Sequence, residues 1–247
     1  AFYLLATILL LNLVRTHFRL YHNVTRENIS DAMTGLYNRK VLTPTLEQRL
    51  QQLVNTGTLV TFIAIDCDKL KVINDTLGHK EGDRIITHLA KAIQSSIRKS
   101  DYAIRLGGDE FVIYLHGADA VVAESVAVRI LDDMRKPFLL DGMGFSIQCS
   151  IGMALYPQDG VTLDDLIKQA DTAMYRVKER GRGSYGFYQP QMNANLLSRM
   201  KLEHAMRQAL GEQRLSVHYQ PQVNRITGRI IGAEALIRWT DPEFGAV

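Results

Sequence analysis

The sequence predicts an α/β fold: an α+β sandwich of the split βαβ type with a central, mostly antiparallel sheet. Three observations predict it. Leu59–Ile65 (LVTFIAI) is a short β-rich apolar run of the kind buried on both faces. Tyr102–Leu106 and Phe111–Leu115 are two short strands around Gly107-Gly108, where glycine supplies the positive φ that a hairpin turn needs. Amphipathic stretches at helical spacing lie between the strand segments, giving the order β-α-α-β-β-α-β-α-β.

Residues 39–55 carry Val41, Leu42, Leu46, Leu50 and Leu53 at helical spacing. Gly82-Asp83 opens a helix with Ile85, Ile86, Leu89, Ala90 and Ile93 on one face. Ala118–Met134 reads as a helix and Phe145–Leu155 as a long strand. Residues 163–179 place Leu166, Ala170, Ala173, Met174 and Val177 on one stripe, and Tyr185–Tyr188 is a closing strand. Met200–Leu210 reads as a further amphipathic helix.

Composition excludes several classes. The 247 residues hold 29 Lys and Arg against 26 Asp and Glu, with 22% charged and 46% apolar side chains. That rules out a disordered chain, a collagen-like repeat and a disulfide scaffold. A net charge of +3 does not by itself point to nucleic acid, and none is expected as a partner. Cys67 and Cys149 sit in apolar strand-like runs without metal-ligand spacing, so they read as buried free thiols.

Ala1–Val14 (AFYLLATILLLNLV) is uncharged, and as a helix it spans roughly 21 Å. The expectation is the last part of a transmembrane helix at residues 1–14, with a buried core helix as the alternative. Arg15, His17, Arg19 and His22 follow, which places the next segment, a helical stalk over 15–30, in the cytoplasm at the inner membrane. The triplets starting at Asn23 and Asn28 match a glycosylation pattern by chance.

Two constellations carry chemistry. The first follows the buried strand: Asp66-Cys67-Asp68, Asn74-Asp75 and Gly78–Asp83. A carboxylate at the end of a rigid strand is where a hard ion such as Mg²⁺ finds fixed oxygen ligands. Taken alone, such an Asp is more often a turn or capping residue. The second is Gly107-Gly108-Asp109-Glu110-Phe111. Bare glycine backbone lets a phosphate approach, and alternation sends Asp109 and Glu110 to opposite sides. A plain hairpin tip explains this pentapeptide poorly, since it arises on the order of once in ten thousand chains of this size.

With Asp31–Arg39 (DAMTGLYNR) and Tyr175–Arg182 (YRVKERGR), these motifs resemble the GGDEF-domain diguanylate cyclases over roughly residues 27–188. Met33 and Leu70 stand where the family usually has Leu and Phe, both apolar exchanges. The resemblance implies a nucleotidyl-cyclase, palm-like ferredoxin-type domain that condenses two GTP to cyclic di-GMP and two pyrophosphates. It implies Asp66, Asp109 and the Cys67 carbonyl as ligands of Mg²⁺, or Mn²⁺ in its place. Glu110 and Lys71 join Asp109 as catalytic groups, Lys71 as a further phosphate contact. Asn74 and Asp83 are implied as guanine readers, a carboxylate accepting from N1–H and N2–H. Gly107 and Gly108 line the nucleotide. Lys178 and Arg182, one helical turn apart if the helix persists, are implied to grip the triphosphate; without the resemblance they are ordinary C-terminal helix cations. Arg98 and Asp101 (RKSD) resemble the family's inhibitory product site. A homodimer is implied, each domain holding one GTP.

His218-Tyr219-Gln220-Pro221-Gln222 and Glu234–Trp239 resemble the start of an EAL domain, a family of cyclic di-GMP phosphodiesterases. Glu234 matches its first metal ligand, and the other ligands are absent from these residues. The expected organisation is a cyclase domain over 31–189, a linker over 190–200 and the start of an EAL domain over 201–247, from a membrane-anchored tandem protein. The competing reading is a catalytically silent GTP- or cyclic di-GMP-binding domain that controls an attached phosphodiesterase.

Overall fold

The computed structural model describes residues 29–42, 44–53, 57–140, 143–242 and 245–246. The chain divides into two compact units that part between Gln189 and Pro190. The first is built on a six-stranded sheet. In spatial order its strands are β1 (Tyr37–Asn38), β3 (Tyr102–Gly107), β4 (Glu110–His116), β2 (Val60–Cys67), β7 (Cys149–Tyr156) and β8 (Tyr185–Phe187). β2 is antiparallel to β4 and β7, and β3 is antiparallel to β4. The edge strands β1 and β8 run parallel to β3 and β7. The sheet is therefore mixed, antiparallel at the centre and parallel at both edges.

Among the described residues five helices cover its two faces: α1 (Pro44–Leu53), α2 (Leu70–Leu77), α3 (His79–Ser96), α4 (Ala120–Arg135) and α5 (Leu163–Glu179). The alternation of a strand decides which residue meets which helix. Ile63, Ile65 and Cys67 of β2 pack in one core with Ile85, Leu89 and Ile93 of α3 and Ala127 and Ile130 of α4. Phe62 and Ala64 pack in the other with Leu46 and Leu50 of α1 and Leu166, Ala170 and Met174 of α5. Each fully buried Ile, Leu or Phe contributes about 1.5–3 kcal/mol, so a strand buried on both sides is a rigid mount for whatever follows it.

Four local expectations need correction. The stretch 39–55 is not one helix: a 3₁₀ turn, Arg39–Leu42, precedes α1, which opens on Pro44, a residue suited to the first helical turn. α3 starts at His79, a turn earlier than Gly82, after Gly78 at φ 87°. The long strand 145–155 is two elements: β6 (Met143–Phe145) pairs with β5 (Phe138–Leu140) as a separate hairpin, and pairing with β2 resumes at Cys149. The helix expected at Met200–Leu210 starts earlier, as α6 (Gln191–Gly211).

The second unit holds α6, the antiparallel hairpin of β9 (Ser216–Val223) and β10 (Ile230–Arg238), and the short pair β11 (Thr240–Asp241) and β12 (Gly245–Ala246). The expected membrane segment at 1–14 and the stalk up to residue 28 lie outside the described residues. Among the described residues no helix is long and apolar enough to cross a membrane.

The height of α5 above the sheet is set at Gly152 in β7. A Cβ there would stand 2.0 Å from the Ala170 carbonyl oxygen and 2.1 Å from the Met174 nitrogen, both backbone atoms of α5. Gly152→Ala is expected to force the helix outward and to cost about 3 kcal/mol. Thermal unfolding should show a midpoint lower by roughly 6–12 °C.

Candidate active site

The acidic groups converge at the end of β2. Asp66 is the cross-strand partner of Glu110 on β4, so the two carboxylates share the face covered by α5. The turn between β3 and β4 has Gly108 and Asp109 at its two central positions, with Gly107 paired to Glu110. Gly108 sits at φ 54°, a value that only glycine adopts at little cost. Asp109 is half-buried, and its charge acts on both Asp66 and Cys67.

Burial raises the Asp66 carboxyl above the usual carboxylate range. Lys178 opposes the rise, and the charges of Asp109 and Asp68 add to it. Burial, with the same three carboxylates, pushes the Cys67 thiol up to about 12, so it stays a thiol and only its carbonyl is available to a cation. Cys67 lies opposite Cys149 in the β2–β7 register, and both are free and buried.

Two cations answer these acids. Lys178 Nζ lies 2.8 Å from Asp66 Oδ2. Arg182 Nε lies 3.8 Å from Asp68 Oδ1. They are not one helical turn apart, as the sequence suggested, because α5 ends at Glu179 and Arg180 caps it. Arg182 instead sits in a left-handed turn at φ 64°, between Gly181 and Gly183. Both cations still face the end of β2.

The expected guanine readers are brought together by the α2–α3 turn. Gly82 has no side chain to keep Asn74 away: a Cβ there would stand 1.8 Å from Asn74 Oδ1. That oxygen is buried without a hydrogen-bond partner among the described residues. Asp83 follows Gly82 and is exposed, and Lys71 is exposed on the first turn of α2. A buried polar atom left unpaired is costly, and a base edge with N–H donors would relieve it.

The donor set fits Mg²⁺ or Mn²⁺. Among the described residues no three His, Cys, Asp or Glu side chains form a ready cage. Mg²⁺ does not need one, since it binds through one or two carboxylates and completes its shell with water and phosphate. Asp66, Asp109 and the Cys67 carbonyl offer hard oxygens only, and the Lys178 ammonium at Asp66 marks where a cation is favoured.

Arg98 and Asp101 lie between α3 and β3 and line one cleft with Gly35, Leu36, Tyr37 and Gln94. Asp101 is already in use: Oδ2 accepts from the Arg98 N–H at 2.9 Å and Oδ1 from the His116 N–H at 3.2 Å. Glu234 lies far along the chain in the second unit, exposed on β10 opposite Gln220.

Two residues escaped the sequence reading as site residues. Arg105 on β3 donates to the Gly108 carbonyl from Nε at 3.0 Å and Nη2 at 2.8 Å, and to Asp31 Oδ1 from Nη1 at 3.1 Å. Burial alone would raise the Asp31 carboxyl. Hydrogen bonds from Thr34 and Arg105 outweigh that and hold it below the usual range. Asp68 is the other, with its carboxylate almost wholly enclosed. The Arg105–Asp31 and Asp68–Gly183 bonds join residues far apart in sequence; Asp31 and Asp68 stand within recognised motifs, and Arg105 stands in none.

The chain is similar to known proteins along most of its length. Residues 28–184 match the family described as diguanylate cyclase, GGDEF domain, and residues 203–247 match the EAL domain. "Probable diguanylate cyclase DgcJ" of Escherichia coli (strain K12) is 55% identical over 72% of this chain and 35% of its own length. "Bifunctional diguanylate cyclase/cyclic di-GMP phosphodiesterase MucR" of Pseudomonas aeruginosa is 38% identical over 89% of this chain and 32% of its own. The chain thus spans about a third of the length of these curated relatives. The solved GGDEF domain of TpbB (YfiN) from Pseudomonas aeruginosa superposes with a TM-score of 0.65 at 35% identity, covering 68% of this chain and 99% of that one. The coiled coil and GGDEF domain of DgcB from Caulobacter crescentus, solved with c-di-GMP, gives 0.64 at 25% identity over 74% of this chain and 96% of that one. On the matched motifs, the shared fold and the convergence at β2, the chain belongs to the GGDEF-domain diguanylate cyclase family, with the start of an EAL domain at its C-terminal end.

Proposed function

We propose that this chain condenses two molecules of GTP into cyclic di-GMP with release of two pyrophosphates. The observation that carries the reading is the meeting of Asp66, Asp109 and Glu110 with Lys178 at the end of one buried strand. In each step the 3′-oxygen of one nucleotide forms a bond to the α-phosphorus of the other, and the bond from that phosphorus to the bridging oxygen breaks. Pyrophosphate leaves with the electron pair. Bound Mg²⁺ supplies Lewis acidity and neutralises phosphate charge.

The chain's own residues do the rest. Asn74 and Asp83 hold guanine and favour it over adenine, which lacks the paired N1–H and N2–H donors. Lys178, Arg182 and Lys71 grip the phosphates, and the bare Gly107-Gly108 backbone lets them approach. Glu110, exposed beside Asp66, takes the 3′-hydroxyl proton. Positioning and electrostatics provide most of the acceleration.

Each domain holds one GTP, so turnover requires two copies face to face. Arg98 and Asp101 hold the product and restrain the enzyme. The opening residues anchor the protein at the inner membrane with this domain on the cytoplasmic side. Glu234 is a metal ligand of the EAL part, which in the described residues lacks the partners for hydrolysis.

The test is conversion of GTP to cyclic di-GMP by the 247-residue chain with Mg²⁺, after bound product is stripped. Activity should rise more than proportionally with protein concentration and vanish in Asp109→Ala. A folded, dimeric, GTP-binding sample without turnover would leave a nucleotide-sensing regulatory domain instead.

Arg105 allows a second test. Its planar fork holds the Gly108 carbonyl and Asp31 at once, which an ammonium cannot reproduce. Arg105→Lys should reduce kcat about as much as Arg105→Ala, by roughly tenfold or more, in a protein that still binds GTP. Full activity in Arg105→Lys would show that the fork is dispensable.

A further inference from the structure

Asp68 holds neither metal nor substrate in the proposed reaction, yet its side chain is only 2% exposed. A carboxylate taken so far from water needs strong partners. Ser150 Oγ donates to Oδ1 at 2.8 Å, and the Gly183 N–H donates to Oδ2 at 3.1 Å. The Asp68 N–H donates to the Gln148 carbonyl at 2.9 Å. Three separate segments therefore meet at one side chain: the end of β2, the start of β7, and the turn after α5.

That turn holds three successive residues at positive φ. Gly181, Arg182 and Gly183 stand at φ 120°, 64° and 61°. For Arg182 the left-handed conformation is unfavourable and persists only where the surroundings impose it. One restraint is the Arg182 N–H, which donates to the Val177 carbonyl at 3.1 Å. The other is Asp68, bonded to the next residue. Gly183 is also pressed against Gln148, whose side-chain carbon would lie 3.0 Å from a Cβ at that position. The guanidinium of Arg182 is drawn toward Asp68 Oδ1 but stays 3.8 Å away, with its side chain 46% exposed. It is aimed without being locked.

We propose that Asp68, with Ser150, is a positioning clasp for nucleotide phosphate. It shapes the Gly181–Gly183 turn so that Arg182 points to the place where the triphosphate lies. The inference rests on the reading of Arg182 as a phosphate ligand. It makes Asp68 a residue that acts through Arg182, not on the reacting atoms.

The experiment measures binding of α,β-methylene GTP, which resists attack, and of guanosine, which has no phosphate, to the full 247-residue chain. Asp68→Asn places an amide where two donors now find oxygens. It should weaken the analogue about tenfold and change guanosine less than about twofold. Arg182→Ala should give a similar loss, and the double variant should be little weaker than either single one, since both remove the same grip. Ser150→Ala should weaken the analogue about threefold with the same selectivity.

Additive losses in the double variant, or guanosine lost in parallel with the analogue, would overturn the clasp. If Asp68→Asn does not fold, Ser150→Ala decides: folded protein with unchanged analogue affinity overturns it. If the unmodified chain binds neither ligand, the nucleotide reading falls and takes the clasp with it. Normal binding by the unmodified chain with no effect of Asp68→Asn overturns the clasp alone.

Discussion

The site depends on one constraint: carboxylates gathered at the end of a strand that is buried on both faces. Asp66 and Asp68 bracket Cys67 where β2 ends, and the turn from β3 adds Asp109 and Glu110. Burial first, and the charges of Asp109 and Asp68 after it, raise the Asp66 carboxyl. Cations must therefore be supplied, and α5 supplies them. Lys178 comes from its last turn and Arg182 from the loop beyond. The reach of both depends on how closely α5 lies on the sheet, which is why a glycine stands at 152 in β7. The metal and triphosphate proposed for the site belong to the same charge balance: one cation more at Asp66 and Asp109, and anions for Lys178 and Arg182.

Around that centre the fold uses side chains as struts between motifs. Arg105 joins the segment at Asp31 to the carbonyl of Gly108, so the turn between β3 and β4 is tied to the beginning of the domain. Asp68 joins β2 to the turn carrying Arg182. Asp101 is tied to the Arg98 and His116 main chain, which shapes the cleft proposed for the product. In each case a polar group bonds main-chain atoms at a turn, where backbone donors and acceptors lack sheet or helix partners. Small motifs are thereby placed rigidly with respect to a sheet whose strands come from distant parts of the chain.

The sequence showed what local periodicity can show. The apolar run ending at Asp66, the glycine hairpin before Glu110 and the stripe over 163–179 are all local patterns, and each stands where expected. The acids gathered at the end of β2 and the cations beside them were legible because their motifs are specific. The rest was hidden for physical reasons. The 3₁₀ turn before Pro44 and the β5–β6 hairpin involve apolar residues whose spacing does not separate one element from two. The parallel edge strand β1 is two residues long, too short for any period. The left-handed turn at Arg182 interrupts what reads as continuing helix, and contacts with Val177 and Asp68 restrain it. The struts Asp31–Arg105 and Asp68–Gly183 span 74 and 115 residues, distances over which pattern carries no information.

The most direct measurement is diffraction from crystals of this chain with Mn²⁺ and α,β-methylene GTP, using the anomalous signal of manganese. The account predicts a peak between the carboxylates of Asp66 and Asp109, with Lys178 turned from Asp66 to the phosphates. A peak elsewhere, or nucleotide bound with Lys178 still paired to Asp66 and no metal beside it, would contradict it.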